Sequence, residues 1–367
     1  MRRKIYIDHQ IYTIQNFGGI SRVFTELYKE FRKNDEIEPI LPILLSDNEY
    51  IKEVKEVKSI FPLNKSFIKR LFYYAINRLY STWVLIKGDF DIFQPTYYDP
   101  YFLPFLKGKP FVLLVHDMTH EIFPNTVSKK DKTIVWKKKL IYKADRILAI
   151  SENTKKDIIK FYGINESKID IVYWGTSLKV TKNNFNIDLP KRYILFVGNR
   201  ETYKNFELFF KSISIILKEF KDMYLVCAGS SNFSDKERRM FKEFEVEEKV
   251  KHFKFKGDDE LAYIYSKAVC FVFPSLYEGF GIPVLEAFAC NCPAIISNTS
   301  SFPEVGGNAV EYFNPQNMES IKNAVEKVIK SEKLRQDLII KGRNRLKMFS
   351  WEKAAQKFTS VYKEIKL

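Results

Sequence analysis

The sequence predicts an α/β chain of two doubly wound, Rossmann-like domains, on three observations. At 367 residues it exceeds the usual size of one core, so two domains of roughly 180 residues each are expected. Short β-rich apolar runs alternate with segments of helical periodicity, first through the amino-terminal half and again through the second. Between the two series, "TSLKVTKNNFNIDLP" (176–190) loses all periodicity and reads as a linker. The expected division is residues 1–176, a linker over 177–190, and residues 191–349, with the closing segment 350–367 packing back on the first domain.

In the first half the strand candidates are "KIYID" (4–8), "PILPILL" (39–45), "DIFQ" (91–94), "PFVLLVHD" (110–117), "DRILAIS" (145–151) and "DIVYW" (170–174). The second series is "RYILFVGN" (192–199), "MYLVCAGS" (223–230), "VKHFKF" (250–255), "CFVFPS" (270–275) and "AIIS" (294–297). Runs that are apolar on both faces and separated by helices imply parallel sheets covered on both sides. Two such halves would turn their strand-end loops toward each other across a cleft, where open α/β sheets bind ligands. The last segments, 316–330, 331–347 and 350–366, are helical by pattern.

Hydrophobic residues make up 46% of the chain, an ordinary globular proportion. The 60 Lys and Arg outnumber the 45 Asp and Glu by a formal +15, which favours a polyanionic partner: a membrane leaflet, a nucleic acid or an anionic substrate. No recognisable binding module accompanies the charge, so no nucleic-acid partner is expected. Cys227, Cys270, Cys290 and Cys292 lie in apolar patterns without a zinc spacing and read as packed, reduced thiols of a cytoplasmic protein. In "MRRKIYIDHQ" the polar Asp8, His9 and Gln10 interrupt any signal-peptide core, and no apolar run reaches the ~18 residues of a membrane span.

The stretch "SLYEGFGIPVLEAFAC" (275–290) carries the clearest chemical signal. Glu278 falls in a turn with a Gly-aromatic-Gly sequence, Pro283 suits the first position of a helix, and Glu286 is expected in that helix's opening turn. A helix start gathers unpaired N–H groups and a positive dipole end, so it receives an anion while a nearby carboxylate accepts hydroxyl hydrogen bonds. Phosphate beside polyol points to a sugar nucleotide. The plainer alternative is that both acids merely favour a helix N-terminus, worth about 0.3–1 kcal/mol each.

The block "FVFPSLYEGFGIPVLEAFACNCPAIISNTSSFPEVGGNAVEYFNP" (271–315) resembles the signature of family 4 glycosyltransferases. "GGISR" (18–22), "VHD" (115–117), "GNRETYKNF" (198–206) and "FSW" (349–351) agree with that family in order, so the likeness spans nearly the whole chain. It implies a GT-B type fold, two facing Rossmann-like domains with an interdomain cleft. It also implies retaining, metal-independent transfer from a nucleoside-diphosphate sugar, with no cofactor. The opening "DHQIYTIQNFGGISR" resembles members that assemble surface polysaccharides, among which mannosyl transfer from GDP-mannose is frequent.

By that likeness Glu286 accepts hydrogen bonds from the ribose hydroxyls, while Glu278 and the backbone amides of Phe280 and Gly281 contact the donor sugar, with Gly279 and Ile282 beside them. Arg200 and Lys204 lie where the family places its phosphate-binding cations; Asn199 holds the place more often taken by Arg. Gly18 and Gly19 let the first loop approach the donor phosphates and the acceptor. His116 corresponds to a family histidine close to the donor sugar; a packed strand-end histidine is the other reading. The strand-end residues Phe255 and Lys256, with Ser230 nearby, receive the base. The catalytic set is His116, Glu278, Arg200 and Lys204. His116 and His120 have helical i, i+4 spacing, but no third ligand accompanies them, so no metal is expected. The resemblance also implies a front-face mechanism in which the leaving diphosphate takes the acceptor's proton, with Arg200 and Lys204 stabilising the developing charge; a covalent double displacement is the other route.

The resemblance places the acceptor, a glycan or lipid-linked glycan, on the first domain. There "NKSFIKRLFYYAINRLYSTWVLIKG" (64–88) combines Lys65, Lys69, Arg70 and Arg78 with aromatic and aliphatic residues at helical spacing. Such a helix would hold a cytoplasmic protein peripherally on an anionic membrane; the alternative buries its rings in the core with charges outward. A sugar-nucleotide epimerase or hydrolase on the same fold is the first rival function, and a basic nucleic-acid-binding protein, suggested by the +15 charge, is the second.

Overall fold

Every strand pairing among the described residues is parallel. The structure, a computed structural model, describes all residues except Met1, 56–66, Val127, Lys129, Lys130, 181–184, Asn186, Glu201, Ser230 and Ser231. Its contacts divide the chain into two units, Met1–Trp174 with Trp351–Leu367, and Gly175–Ser350.

Unit 1 contains β1 (Arg3–Ile7), β2 (Ile37–Ile40), β3 (Ile92–Gln94), β4 (Val112–Val115), β5 (Arg146–Ala149) and β6 (Ile169–Ile171). They form the sheets β2-β1-β3 and β4-β5-β6, joined by a parallel bridge between Phe93 and Phe111. The chain leaves β1 toward β2 and returns past β1 to β3, so the strand order reverses between β1 and β3. Ile5, Ile7, Ile92, Val112, Ile147 and Leu148 are fully buried, as strands covered on both faces require. The closing helix Trp351–Glu364 belongs to this unit: Trp174 lies 6.0 Å from Trp351 and 6.3 Å from Phe358, and Tyr362 Oη donates to Gln94 Oε1 at 2.9 Å.

Unit 2 contains β7 (Arg192–Val197), β8 (Met223–Ala228), β9 (Val250–Phe253), β10 (Cys270–Phe273), β11 (Ala294–Ser297) and β12 (Glu311–Phe313), in the order β12-β11-β10-β7-β8-β9. This is the doubly wound dinucleotide-fold order, and it reverses between β7 and β10. Phe196, Phe209, Ile213, Leu225, Val272 and Val325 are among the residues of its core. All four cysteines are buried and free.

Two strand expectations need correction. The run 39–45 is strand only as far as Ile40. Pro39 is tolerated because β2 is an edge strand, and past Ile40 the N–H groups of Leu44 and Leu45 donate to Asn77 Oδ1, at 2.9 and 3.1 Å. Strand β12 was not anticipated; its three residues form the other edge of unit 2 and are too few to show a period.

Candidate active site

The loops that follow β7 and β10 meet at the reversal point of unit 2. Lys204 Nζ, on the first loop, is 2.6 Å from Glu278 Oε1 on the second, with their side chains 16% and 14% exposed. The two loops are also tied by backbone: Leu276 N–H donates to Tyr203 O at 2.8 Å. Asn205 adopts a left-handed φ of 58° and its side-chain amide donates to Pro274 O at 3.2 Å and Pro315 O at 2.7 Å. Glu278 N–H donates to Ser300 Oγ at 3.1 Å, and Ser301 Oγ lies 2.9 and 2.8 Å from the carbonyls of Glu278 and Phe280. The turn bearing Glu278 is thereby fixed before any ligand arrives.

Gly281 caps the helix Ile282–Ala289 with a φ of +107°, a conformation that only glycine adopts without strain. Pro283 is therefore the second helical residue and Glu286 the fifth, one residue deeper than the sequence predicts and past the opening turn. Glu278 precedes the cap by three positions. Neither acid caps this helix, which removes the plainer explanation for the pair. Glu286 is instead buried, with Tyr265 Oη donating to its Oε2 at 3.2 Å. Burial raises the Tyr265 phenol well above its ordinary value, with the Glu286 charge adding to it, so that hydroxyl stays a donor. Gly279, Phe280, Gly281 and Ile282 follow Glu278 directly and lead into the helix that carries Glu286.

Arg200 pairs with a carboxylate of the same unit. Its side chain is 5% exposed, its Nε donates to Glu237 Oε1 at 2.5 Å, and a second nitrogen donates to Asn232 O at 2.8 Å. Its guanidinium lies over Phe233, 4.9 Å from the centroid. With Asn199 it lines a pocket of about 380 Å³ at the ends of β7 and β8. Those two loops touch backbone to backbone: a Cβ on Gly229 would stand 2.7 Å from the Gly198 carbonyl oxygen. Phe255 and Lys256 follow β9, the edge strand two places from β7, and Lys256 N–H donates to Glu260 Oε2 at 2.7 Å. Ser230 lies outside the described residues.

In unit 1, His116 directly follows β4. Its backbone N–H donates to Tyr98 Oη at 3.1 Å, and its ring packs edge-on to Phe24. Burial holds its pKa down to about 4, with Asp117 pushing up and Lys137 pushing further down, so the imidazole is neutral near pH 7. Asp117 orders its loop by accepting from Thr119 N–H at 2.9 Å. Gly18 caps the helix Gly19–Phe31, and a Cβ on Gly19 would meet nothing within 4 Å. Among the described residues no group of three or more His, Cys, Asp or Glu is placed to hold a metal.

The basic segment forms the helix Phe67–Lys87; residues 64–66, with Lys65, lie outside the described residues. Its buried side carries Tyr73, Asn77, Ser81 and Leu85, while Phe72, Leu79, Trp83 and Ile86 are exposed. Lys69 pairs with Asp47 at 2.9 Å and Arg78 with Asp99 at 3.4 Å. No described helix is long and apolar enough to cross a membrane.

Residues that sequence reasoning passed over hold both sites in shape. Ser300, Ser301, Asn205 and Tyr265 do so in unit 2. In unit 1 the buried Asp8 accepts from Tyr101 Oη at 2.5 Å and from Ser81 Oγ at 3.3 Å.

The model of glycosyl transferases group 1 matches residues 179–345, and that of glycosyltransferase family 4 matches residues 17–180. The chain is 30% identical over 256 residues to the O-antigen chain mannosyltransferase RfbU of Salmonella typhimurium, covering 68% of this chain and 69% of that protein. It is 25% identical over 372 residues to O-antigen chain mannosyltransferase B of Escherichia coli, covering 94% and 96%. Among solved structures it is similar to sucrose-phosphate synthase of Thermosynechococcus elongatus, with a TM-score of 0.77 at 17% identity over 99% of both chains. Anabaena HepE, solved with UDP and glucose, gives a TM-score of 0.72 at 14% identity over 100% of both.

Proposed function

The chain belongs to the family 4, group 1 glycosyltransferases, enzymes of sugar transfer in polysaccharide assembly, and from that premise we propose the donor, stereochemistry and site roles. The donor is a nucleoside-diphosphate sugar, with GDP-mannose the first candidate because the relatives are named mannosyltransferases. The acceptor is a glycan or lipid-linked glycan of a surface polysaccharide. Transfer proceeds with retention and without a metal.

The Lys204–Glu278 pair at the reversal point of unit 2 carries this reading. It sets a cation for the diphosphate beside a carboxylate for the sugar, four residues ahead of a helix start whose N–H groups face developing negative charge. The carboxylate of the buried Glu286, whose oxygens can each accept more than one hydrogen bond, receives the ribose hydroxyls. On the front face, the acceptor oxygen forms its bond to the anomeric carbon on the side the phosphate oxygen leaves. The acceptor's proton passes to that departing phosphate, whose growing charge Lys204 stabilises. Arg200, held by Glu237, positions the loop carrying Lys204. His116, neutral by burial, hydrogen-bonds rather than pairs with charge. Protection against thermal unfolding by a panel of UDP-, GDP-, TDP- and ADP-sugars tests the donor, since a ligand of the native state raises its melting temperature. No stabilisation by any of the four would overturn it, and turnover of donor alone to an epimer would favour the epimerase.

Peripheral membrane contact is part of the same proposal. The exposed Phe72, Leu79, Trp83 and Ile86 form an apolar stripe on a helix that also carries Lys69, Arg70, Arg78 and Lys87. The protein should sediment with anionic vesicles at low salt and release at high salt. Equal binding to neutral vesicles would refute the electrostatic half of the idea.

A further inference from the structure

Unit 1 has a pocket of about 420 Å³ that none of the donor residues lines. Gln10 and Thr13 reach it from the segment after β1, Tyr97 and Asp99 from the loop after β3. It therefore sits at the reversal of strand order in unit 1, where open α/β sheets take ligands. The helix Phe67–Lys87 closes one side with Arg70, Leu71, Tyr74 and Arg78.

The chemistry of the walls selects the ligand. The polar groups are largely engaged within the protein: Gln10 donates to Asp99 O at 3.0 Å and accepts from Asp99 N–H at 2.9 Å. The Asp99 carboxylate accepts from Tyr101 N–H at 3.0 Å and from Tyr74 Oη at 2.6 Å. What remains is hydrocarbon and ring surface from Leu71, Tyr74, Tyr97 and Trp136. Two guanidinium groups join that surface. Arg78 is 3.4 Å from Asp99, a loose pairing, and Arg70 is exposed, with no ion pair among the described residues. A neutral sugar would need free hydrogen-bonding groups, whereas an apolar wall beside two cations suits a hydrocarbon chain bearing a phosphate. Leu71, 54% exposed, brings the apolar wall of the pocket to the protein surface.

We infer that this pocket holds the phosphate-bearing lipid junction of the acceptor, with hydrocarbon against Leu71 and Trp136 and phosphate at Arg70 and Arg78. The inference rests on the reading that the acceptor is lipid-linked. Calorimetry on the full chain with farnesyl diphosphate, farnesol and inorganic diphosphate tests it. Farnesyl diphosphate should bind at least about tenfold tighter than either half, and Arg70→Gln, at a residue without an ion pair among the described residues, should weaken it about tenfold. Arg78→Gln should add to that loss, and nucleoside diphosphate affinity should be unchanged in both variants. Equal affinity for inorganic diphosphate would mark a free-phosphate site, and equal affinity for farnesol a purely apolar one; either overturns the inference. So does unaltered binding by Arg70→Gln, or failure of farnesyl diphosphate to bind a protein that binds nucleoside diphosphate. A wild-type protein that binds no nucleoside diphosphate would instead sink the donor reading.

Discussion

Lys204→Met and Glu278→Gln test the donor site from both ends of one contact. At 2.6 Å and about one-sixth exposed, the pair is only partly screened by water, so it falls in the range of charge-assisted hydrogen bonds, about 1.5–3 kcal/mol. Either substitution strands the other charge in a semi-buried site and should lower the melting temperature by several degrees, at about 2–4 °C per kcal/mol. Ligand binding separates the partners. If Lys204 meets the diphosphate, its loss should weaken nucleoside diphosphate binding about 10- to 150-fold, the same free energy expressed as an affinity. Glu278→Gln keeps the side-chain volume and releases Lys204 from its carboxylate, so affinity for the bare nucleoside diphosphate should hold or rise while sugar transfer falls. Calorimetry and turnover on the same folded preparations measure both. Wild-type nucleotide affinity in Lys204→Met would refute the assignment. So would a loss in Glu278→Gln as large as that in Lys204→Met, because the carboxylate would then itself be a nucleotide ligand.

Glu286→Ala should weaken donor and free nucleotide equally, by about 1.5–3 kcal/mol; wild-type binding in calorimetry would make its role structural. His116 is held at about 4 in the fold against about 6.5 unfolded, so the unfolded chain takes up the proton first as pH falls. The stability from keeping it neutral is whole above about pH 6.5 and is lost progressively toward pH 4, on the order of 3 kcal/mol, with buried His9 lowered in the same direction. His116→Gln should flatten that limb of the curve in urea unfolding at stepped pH, and an unchanged curve would count against it. Activity should survive EDTA; complete loss with rescue by magnesium or manganese would mean a metal, not Lys204, serves the diphosphate.

The parallel sheets were legible because their strands are buried on both faces and leave unbroken apolar runs, such as "ILFV" in β7 and "CFVF" in β10. Two of the edge strands were less so: β2 contains a proline and stops at Ile40, and β12 spans only three residues. The Glu278–Glu286 spacing was legible, but the depth of Glu286 in the helix depended on Gly281 adopting a left-handed turn. The fate of Arg200 was hidden for a different reason. A cation in a strand-end loop looks the same whether it faces a phosphate or a carboxylate from Glu237, a residue that sequence distance gives no reason to bring near. Likewise Asn205, Ser300 and Ser301 are ordinary loop residues until backbone groups from other loops close on them.

Because the helix Trp351–Glu364 completes unit 1, the polypeptide of unit 2 is an insertion within it, with Trp174 and Trp351 touching where the chain departs and returns. During synthesis, residues 175–350 leave the ribosome before the helix that covers Trp174, Phe31 and Gln94 exists. Domains commonly finish in the order they emerge, amino terminus first. Here unit 1 can be completed only after unit 2 has been synthesised, because the rings of Trp174 and Phe31 receive their cover from the last helix of the chain to be made.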